Sequence, residues 1–244
     1  MSDLDFSGKR VLVVGGSSGI GNGIARGFLA RGAEVHVWGT RAAAGDYAAE
    51  GGSDLDGLHY AKVNVADYDE LSAYEPPFDS LDVLVQSQGF VRYKQAEYAK
   101  AGWDDVMDIN LNSVMHTATK FKPMLTATQG SIVIVSSISG LRANIGNPSY
   151  AASKAGAISL TKTLGQSWAR DGIRVNGLAP GLVPTKLTAV TTENEVRSEA
   201  ALRTIPVRRY GTPEDMAGAA LFLASPLAAY VQGHTLIADG GLSL

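Results

Sequence analysis

The segment Val11-Leu12-Val13-Val14-Gly15-Gly16-Ser17-Ser18-Gly19-Ile20-Gly21 constrains the fold more than any other part of this chain. An unbroken apolar run rich in valine predicts a strand buried on both faces, as in a parallel sheet covered by helices. The glycines then turn the backbone, and Asn22 to Arg31 follows with a helical pattern. Glycines at 15, 19 and 21 allow a sharp turn and close approach to a phosphate, while the helix aims its free amides and positive dipole end at the anion. The spacing Gly-x-x-x-Gly-x-Gly is looser than the dinucleotide fingerprint Gly-x-Gly-x-x-Gly. Its place, after a first strand and before a first helix, gives it weight.

Gly15-Gly16-Ser17-Ser18-Gly19 also fits Gly-x-Ser-x-Gly, the nucleophile elbow of α/β-hydrolases, and Asp and His follow later, including His234. Position argues against that reading. An elbow needs an oxyanion-hole loop from an earlier strand, and too little chain precedes this serine to supply one.

Further strands are predicted at Glu34 to Trp38, Leu58 to Val63, Leu81 to Gln86, Ser131 to Ser136, Arg174 to Leu178 and Thr235 to Ala238, after the first at Arg10 to Val14. Helical patterns lie between them, most clearly at Gly21 to Ala30, Trp103 to Leu125, Tyr150 to Ala169 and Glu214 to Leu223. Alternation without a linker implies one α/β domain over residues 1–244: a doubly wound, Rossmann-type fold with a mostly parallel, seven-stranded sheet covered by helices on both faces. Ligands of such sheets bind beyond the carboxyl ends of the strands. Gly15, Gln86, Ser137 and Pro180 each follow a predicted strand and would share that rim.

Composition closes off other classes. The absence of Cys removes disulfides, thiolate catalysis and cysteine metal sites, and the four His show no ligand spacing, so no metal site is expected. A net charge of -3 gives no footprint for nucleic acid. No apolar run is long enough for a membrane span, and the N-terminus shows no basic segment followed by an apolar core, so the expected home is cytoplasmic, with neither membrane nor nucleic acid as partner.

Tyr150 and Lys154 stand four residues apart in Ser149-Tyr150-Ala151-Ala152-Ser153-Lys154. On a helix that spacing puts phenol and ammonium on one face, one turn apart. A phenol is a poor acid at neutral pH, and a cation beside it favours the phenolate, moving the tyrosine toward use as a proton donor or acceptor. The pairing suits carbonyl reduction.

With these motifs in view, the chain resembles the short-chain dehydrogenase/reductases over nearly its whole length. The glycine turn comes first, with Ser17, Ser18 and Ile20 between and beside the glycines. Asn64-Val65 resembles the adenine-contacting pair after the third strand, and Asn110 in Asp108-Ile109-Asn110-Leu111 the family's helix asparagine. Ser137, Tyr150 and Lys154 complete the family's catalytic set. Pro180 and Gly181, with Val183 and Thr185, resemble the nicotinamide-side motif, and Ala238-Asp239-Gly240-Gly241 fits the C-terminal one. The resemblance implies that Ser137 holds the substrate oxygen, Tyr150 donates or accepts the proton, Lys154 lowers the tyrosine's pKa and holds the nicotinamide ribose, and Asn110 anchors a proton-relay water. It also implies a homo-oligomer, a tetramer.

Two departures stand out. Val14 replaces the threonine common before the first glycine, and Gln86-Ser87-Gln88-Gly89 replaces the usual Asn-Asn-Ala-Gly. Gly89 is kept at the cofactor, but Gln88 either shifts the backbone or points its amide into the cleft. At the end of the second strand, Val37-Trp38-Gly39-Thr40-Arg41, the acid that would bind the ribose hydroxyls of NAD is missing. Thr40 and Arg41 could instead receive the 2'-phosphate, so NADP is favoured and NAD remains possible.

Residues 186–210, with Leu187, Val190, Val196, Leu202 and Ile205 among polar neighbours, follow the nicotinamide motif and are expected to form a substrate lid whose apolar side fits a ketone or secondary alcohol with a hydrophobic body. Leu141, Arg142, Asn147 and Tyr93 are weaker candidates for the pocket wall. A 3-oxoacyl thioester reductase is the alternative substrate reading. A dinucleotide-binding redox sensor is the alternative of another class, disfavoured because tyrosine and lysine are both present.

Overall fold

The computed structural model describes residues 3–49 and 51–244, so Met1, Ser2 and Glu50 lie outside the described residues. Seven parallel strands form the sheet: β1 (Arg10–Val14), β2 (Glu34–Gly39), β3 (His59–Lys62), β4 (Val83–Gln86), β5 (Ser131–Val135), β6 (Arg174–Pro180) and β7 (Thr235–Ala238), in the order β3-β2-β1-β4-β5-β6-β7. The winding reverses between β1 and β4, which opens the crevice that binds ligands in such sheets.

Strand periodicity divides two cores. Val11 and Val13 of β1 join one cluster with Phe28 of α1 (Gly19–Leu29) and Ala217 of α8 (Pro213–Ala224). Leu12 and Val14 join the other with Phe121 of α4 (Ser113–Thr128) and Leu164 of α5 (Pro148–Trp168). Each strand is thus apolar at consecutive positions because both faces are covered.

The remaining helices are short: α2 (Tyr68–Ala73), α3 (Lys100–Met107), α6 (Ala189–Thr192) and α7 (Glu195–Thr204). The single helix expected over Trp103 to Leu125 is divided into α3 and α4 by a π turn at Asp108–Asn112, the segment that carries Asn110. Such turns are frequent at functional sites. Hydrophobic spacing cannot reveal one, because a single extra residue leaves the apolar stripe nearly intact.

Parallel pairing sets His36 opposite His59, and their rings stack with centroids 4.7 Å apart. Glu34 joins them, and one ligand atom from each of the three lies within 4.8 Å of the others. Spacing along the chain gave no sign of this group, since it says nothing of pairing across strands. The carboxylate of Glu34 accepts from Arg10 at 3.1 and 3.2 Å, and the imidazole of His36 lies 2.8 Å from it. No helix among the described residues is long and apolar enough to cross a membrane.

Candidate active site

A cleft of about 400 Å³ runs across the carboxyl ends of β1, β4, β5 and β6. At one end lie Gly15, Ser17, Ser18, Gly19, Ile20 and Gly21, with Thr40, Asn64 and Val65 beyond; at the other lie Ser137, Tyr150, Lys154, Pro180, Gly181 and Val183, with Gln88, Gly89 and Thr185 between. Every predicted site residue except Asn110 and Arg41 therefore lines one cavity.

The glycine turn is built for close approach. Gly15 has φ +73°, and a Cβ there would stand 2.8 Å from the amide nitrogen of Gln88. Ser18 precedes α1 without capping it through its side chain, and no acidic residue occupies the first turn, so the positive end of the helix faces the cleft. The Gly19 amide donates to Gly52 O at 2.8 Å, and Gly51 and Gly52 form part of the wall. That adjacent glycine pair was visible in the sequence and went unused. An open helix end and a glycine turn in the same cleft as Tyr150 and Lys154 fit a dinucleotide.

At the end of β2, Thr40 and Arg41 face different surroundings. Thr40 lines the cleft, but the Arg41 guanidinium lies over the ring of Tyr47, 4.6 Å from its centroid, and donates to the carbonyl of Asp46. The Tyr47 hydroxyl accepts from the amides of Thr40 at 3.1 Å and Arg41 at 3.3 Å. A Cβ on Gly39 would stand 2.6 Å from that hydroxyl and 2.7 Å from Ser17 Oγ, so the missing acid has a steric reason. Burial opposes ionisation of Tyr47, yet its hydrogen bonds with Ser17, the Arg41 amide, Tyr60 and the Thr40 amide outweigh burial and hold the phenol below its ordinary value. Lys186, which sequence reasoning did not single out, also lines the cleft, and desolvation followed by the nearby charge of Arg41 lowers its pKa.

Gln88 resolves the question left by the altered loop. Its amide turns away from the cleft, donating to Ser113 Oγ at 3.0 Å and Gln86 Oε1 at 3.3 Å, while Gln86 donates to the carbonyl of Val114 at 3.0 Å. Gln86 and Gln88 thus form a buried pair tied to α4. The price is Gln88 Oε1, which is buried without a partner among the described residues.

Ser137 precedes a single 3-10 turn, Ile138–Gly140, and its hydroxyl accepts from the Ser139 amide at 3.1 Å. Tyr150 and Lys154 occupy the first two turns of α5, where Pro148 fixes the first helical position. Ser137 and Tyr150 both face the cleft. Burial pushes the Tyr150 phenol above its ordinary range; Ser137 opposes this, and Tyr93 and Glu97 add to it. The Lys154 ammonium lies 5.8 Å from the centre of the Tyr150 ring and donates to Val135 O at 3.0 Å. Burial pulls its pKa down to about 8.

Asn110 is wholly buried outside the cleft. Its Oδ1 accepts from the Phe90 amide at 2.8 Å, and its Nδ2 donates to Phe90 O at 2.9 Å and Ser153 Oγ at 3.1 Å. The side chain thus clasps the loop after Gly89 to α5, one residue from Lys154.

The lid segment departs from its expected apolar lining. Leu187 lines the cleft, but Val190 and Val196 are exposed, and Leu202 and Ile205 pack into a small cluster with Ile138 and Leu242. Leu141, Arg142, Asn147 and Tyr93 do not line the cleft: Leu141 is exposed, Arg142 donates to Leu242 O at 3.0 Å, Asn147 bonds to Glu97 and to Arg92 O, and the Tyr93 hydroxyl donates to Leu187 O. Phe90 and Ile109, not anticipated, take their places in the wall.

A doubly wound sheet with a glycine turn at one end of its crevice and Ser137, Tyr150 and Lys154 at the other defines a dinucleotide-dependent oxidoreductase. A family model described as "Enoyl-(Acyl carrier protein) reductase" matches residues 14–243. The 3-oxoacyl-[acyl-carrier-protein] reductase FabG of Chlamydia pneumoniae is 39% identical over 248 residues, covering 99% of each chain. The gluconate 5-dehydrogenase of Gluconobacter oxydans is 33% identical, covering 99% of this chain and 97% of the relative. The crystal structure of a gluconate 5-dehydrogenase from Burkholderia cenocepacia, in complex with NADP and tartrate, superposes with a TM-score of 0.88 at 29% identity, covering 99% of this chain and 97% of that one. The chain belongs to the short-chain dehydrogenase/reductases, and it is an oxidoreductase of CH-OH and C=O groups.

Proposed function

We propose that this protein reduces a ketone to a secondary alcohol, or runs the reverse reaction, with NADP(H) as partner, Tyr150 as general acid/base, Ser137 on the substrate oxygen and Lys154 as the cation beside them. The observation that carries this reading is that these three side chains end the same cleft that the glycine turn opens. The bound nicotinamide supplies or accepts the hydride.

The chain's own residues then have defined work. Ser137 lines the cleft with Tyr150 and would share the substrate oxygen with it, meeting the charge that develops there. Tyr150, kept protonated by burial, is poised as an acid for reduction. Lys154, donating to Val135 O, is close enough to stabilise the phenolate once the proton has left. Asn110 holds the loop after Gly89 against α5, so its part is to fix that wall; a proton-relay water would be held by its main chain, because its side-chain amide is committed. Gly15 to Gly21 would cradle the pyrophosphate, Asn64 and Val65 the adenine, and Gln88 to Gly89 with Pro180, Gly181, Val183 and Thr185 the nicotinamide half. Thr40 and Lys186 are the candidates for the 2'-phosphate, with Arg41 reaching it only by leaving Tyr47. Residues 186–210 act as the lid, latched by the bond from Tyr93 to Leu187.

Phe90, Ile109 and Leu187 support a substrate with an apolar body. A second reading, reduction of a 3-oxoacyl thioester, is favoured by the 39% identity to a 3-oxoacyl-carrier-protein reductase over 99% of the chain. A cytoplasmic homotetramer completes the proposal and is open to fractionation and light scattering.

Titration with NADPH and NADH, followed by turnover of 3-oxoacyl thioesters, cyclic ketones and sugar acids, tests the whole reading. NADPH-dependent turnover that Tyr150→Phe abolishes is the expected result. Binding without turnover of any of these would favour a redox sensor instead.

A further inference from the structure

Glu97 is a wholly buried carboxylate in a 3-10 turn, Ala96–Tyr98, that packs beneath the catalytic helix. Among the described residues no cation forms an ion pair with it; the nearby Arg92 guanidinium instead holds Asp105 at 2.7 Å and lies over the Phe90 ring. Burying an ionised carboxylate without a cation is unfavourable unless several donors converge on it. Three do. Glu97 Oε1 accepts from the Arg92 amide at 3.1 Å and from Asn147 Nδ2 at 3.2 Å, and Oε2 accepts from the Tyr150 amide at 3.0 Å.

The place of those donors is informative. Asn147 precedes α5 yet makes no side-chain cap, and the first turn of α5 contains no acidic residue. Asn147 spends its amide on Glu97 and on Arg92 O. Glu97 therefore supplies from a distant loop what a capping residue normally supplies locally, an oxygen on the third amide of the helix. That amide belongs to Tyr150 itself. The turn is aimed inward by Lys94 and Gln95, whose φ values of 58° and 61° place two side-chain-bearing residues in the left-handed region.

We propose that Glu97 is a positioning residue for Tyr150: its carboxylate locks the first turn of α5 to the loop after Gly89, fixing where the phenol stands in the cleft. Burial keeps that phenol protonated, and the charge of Glu97 adds to it. The inference rests on the reading of Tyr150 as the acid/base. The titratable groups facing Tyr150 are Tyr93 and Glu97 from the loop side and Lys154 from its own helix. Tyr93 and Glu97 both raise the phenol's proton affinity.

Two variants separate position from charge. Glu97→Asp keeps the charge but retracts the carboxylate from the Tyr150 amide; kcat is expected to fall by about tenfold or more with NADPH affinity within about twofold of the wild type and the pH profile unmoved. Glu97→Gln keeps the length and removes the charge; the midpoint of the pH profile for alcohol oxidation is expected to move to lower pH by about half a unit or more. If Glu97→Asp retains wild-type kcat, or if the Glu97→Gln profile coincides with that of the wild type, the proposal is overturned. A loss of kcat that merely follows loss of folded protein, judged by circular dichroism at the assay temperature, also overturns it, since a purely structural role predicts that and no pH shift. Tyr150→Phe distinguishes the layers: if it stays active, the acid/base reading fails, whereas an inactive Tyr150→Phe beside unaltered Glu97 variants removes only the role of Glu97.

Discussion

The hydroxyl of Tyr47 lies 2.6 Å from the point where a Cβ would stand on Gly39. Replacing Gly39 by Asp is the obvious way to seek NAD specificity, because a carboxylate at the end of the second strand binds ribose hydroxyls. Here it would collide with Tyr47 and Ser17. Gly39→Asp alone is expected to weaken NADPH by more than about tenfold, from steric clash and charge repulsion, without gaining NADH. The same change combined with Tyr47→Phe and Ser17→Gly should gain NADH. Dissociation constants from cofactor fluorescence decide the matter, and tight NADH binding by the single variant would refute the steric account.

That pocket shows where the sequence stopped being legible. The seven strands, the two covered faces and the cavity residues from Gly15 to Thr185 were readable because valine runs, glycine turns and motif order are local signals. The resting contact of Arg41 was not readable, because nothing local says that Tyr47 folds back beneath its guanidinium. Gln88 was undecidable for a similar reason: its partner Ser113 lies beyond the π turn, and neither register nor turn leaves a trace in hydrophobic spacing. The lid's apolar residues were assigned to the cleft, but two short helices rotate most of them to solvent or into the cluster around Ile138.

The glutamine pair makes its own prediction. Gln88→Ala removes donors to Ser113 and Gln86, leaving a small void, and it also deletes an acceptor that has no partner. The first effect should outweigh the second, lowering stability by about 1–3 kcal/mol. Because the amide points away from the cleft, kcat should stay near the wild-type value. Chemical denaturation and steady-state rates on the same preparation test both halves; a large loss of kcat with unchanged stability would place the amide at the cofactor after all.

Tyr93 donates to Leu187 O, and Leu187 is the one residue of 186–210 with an apolar side chain that lines the cleft, so this bond would latch the proposed lid. A single hydrogen bond of this kind contributes about 1 kcal/mol, enough to shift a closed-to-open ratio by about fivefold. Tyr93→Phe should therefore raise KM for the carbonyl substrate by up to about fivefold while leaving NADPH affinity within twofold. A wild-type KM would mean that closure does not depend on the latch.

Lys154 connects stability to function most directly. Burial lowers its pKa from 10.5 to about 8. Below pH 8 the folded and unfolded states are both protonated, and the folded protein bears the full burden of a buried cation, about 3 kcal/mol for this shift. As pH rises from 8 toward 10.5 the folded state releases its proton before the unfolded state does, so the wild type gains stability through that window and the burden is gone above it. Lys154→Met removes the cation, at the expense of its bond to Val135 O. The variant should be inactive yet more stable than the wild type at pH 7, by somewhat under 3 kcal/mol after about 1 kcal/mol for the lost hydrogen bond. That advantage should shrink steadily above pH 8 and vanish or reverse near pH 10.5. Thermal melts of the two proteins across this range test the sign as well as the size: a variant less stable than the wild type at pH 7, or a difference that does not change with pH, would show that Lys154 does not carry a buried charge in the free protein.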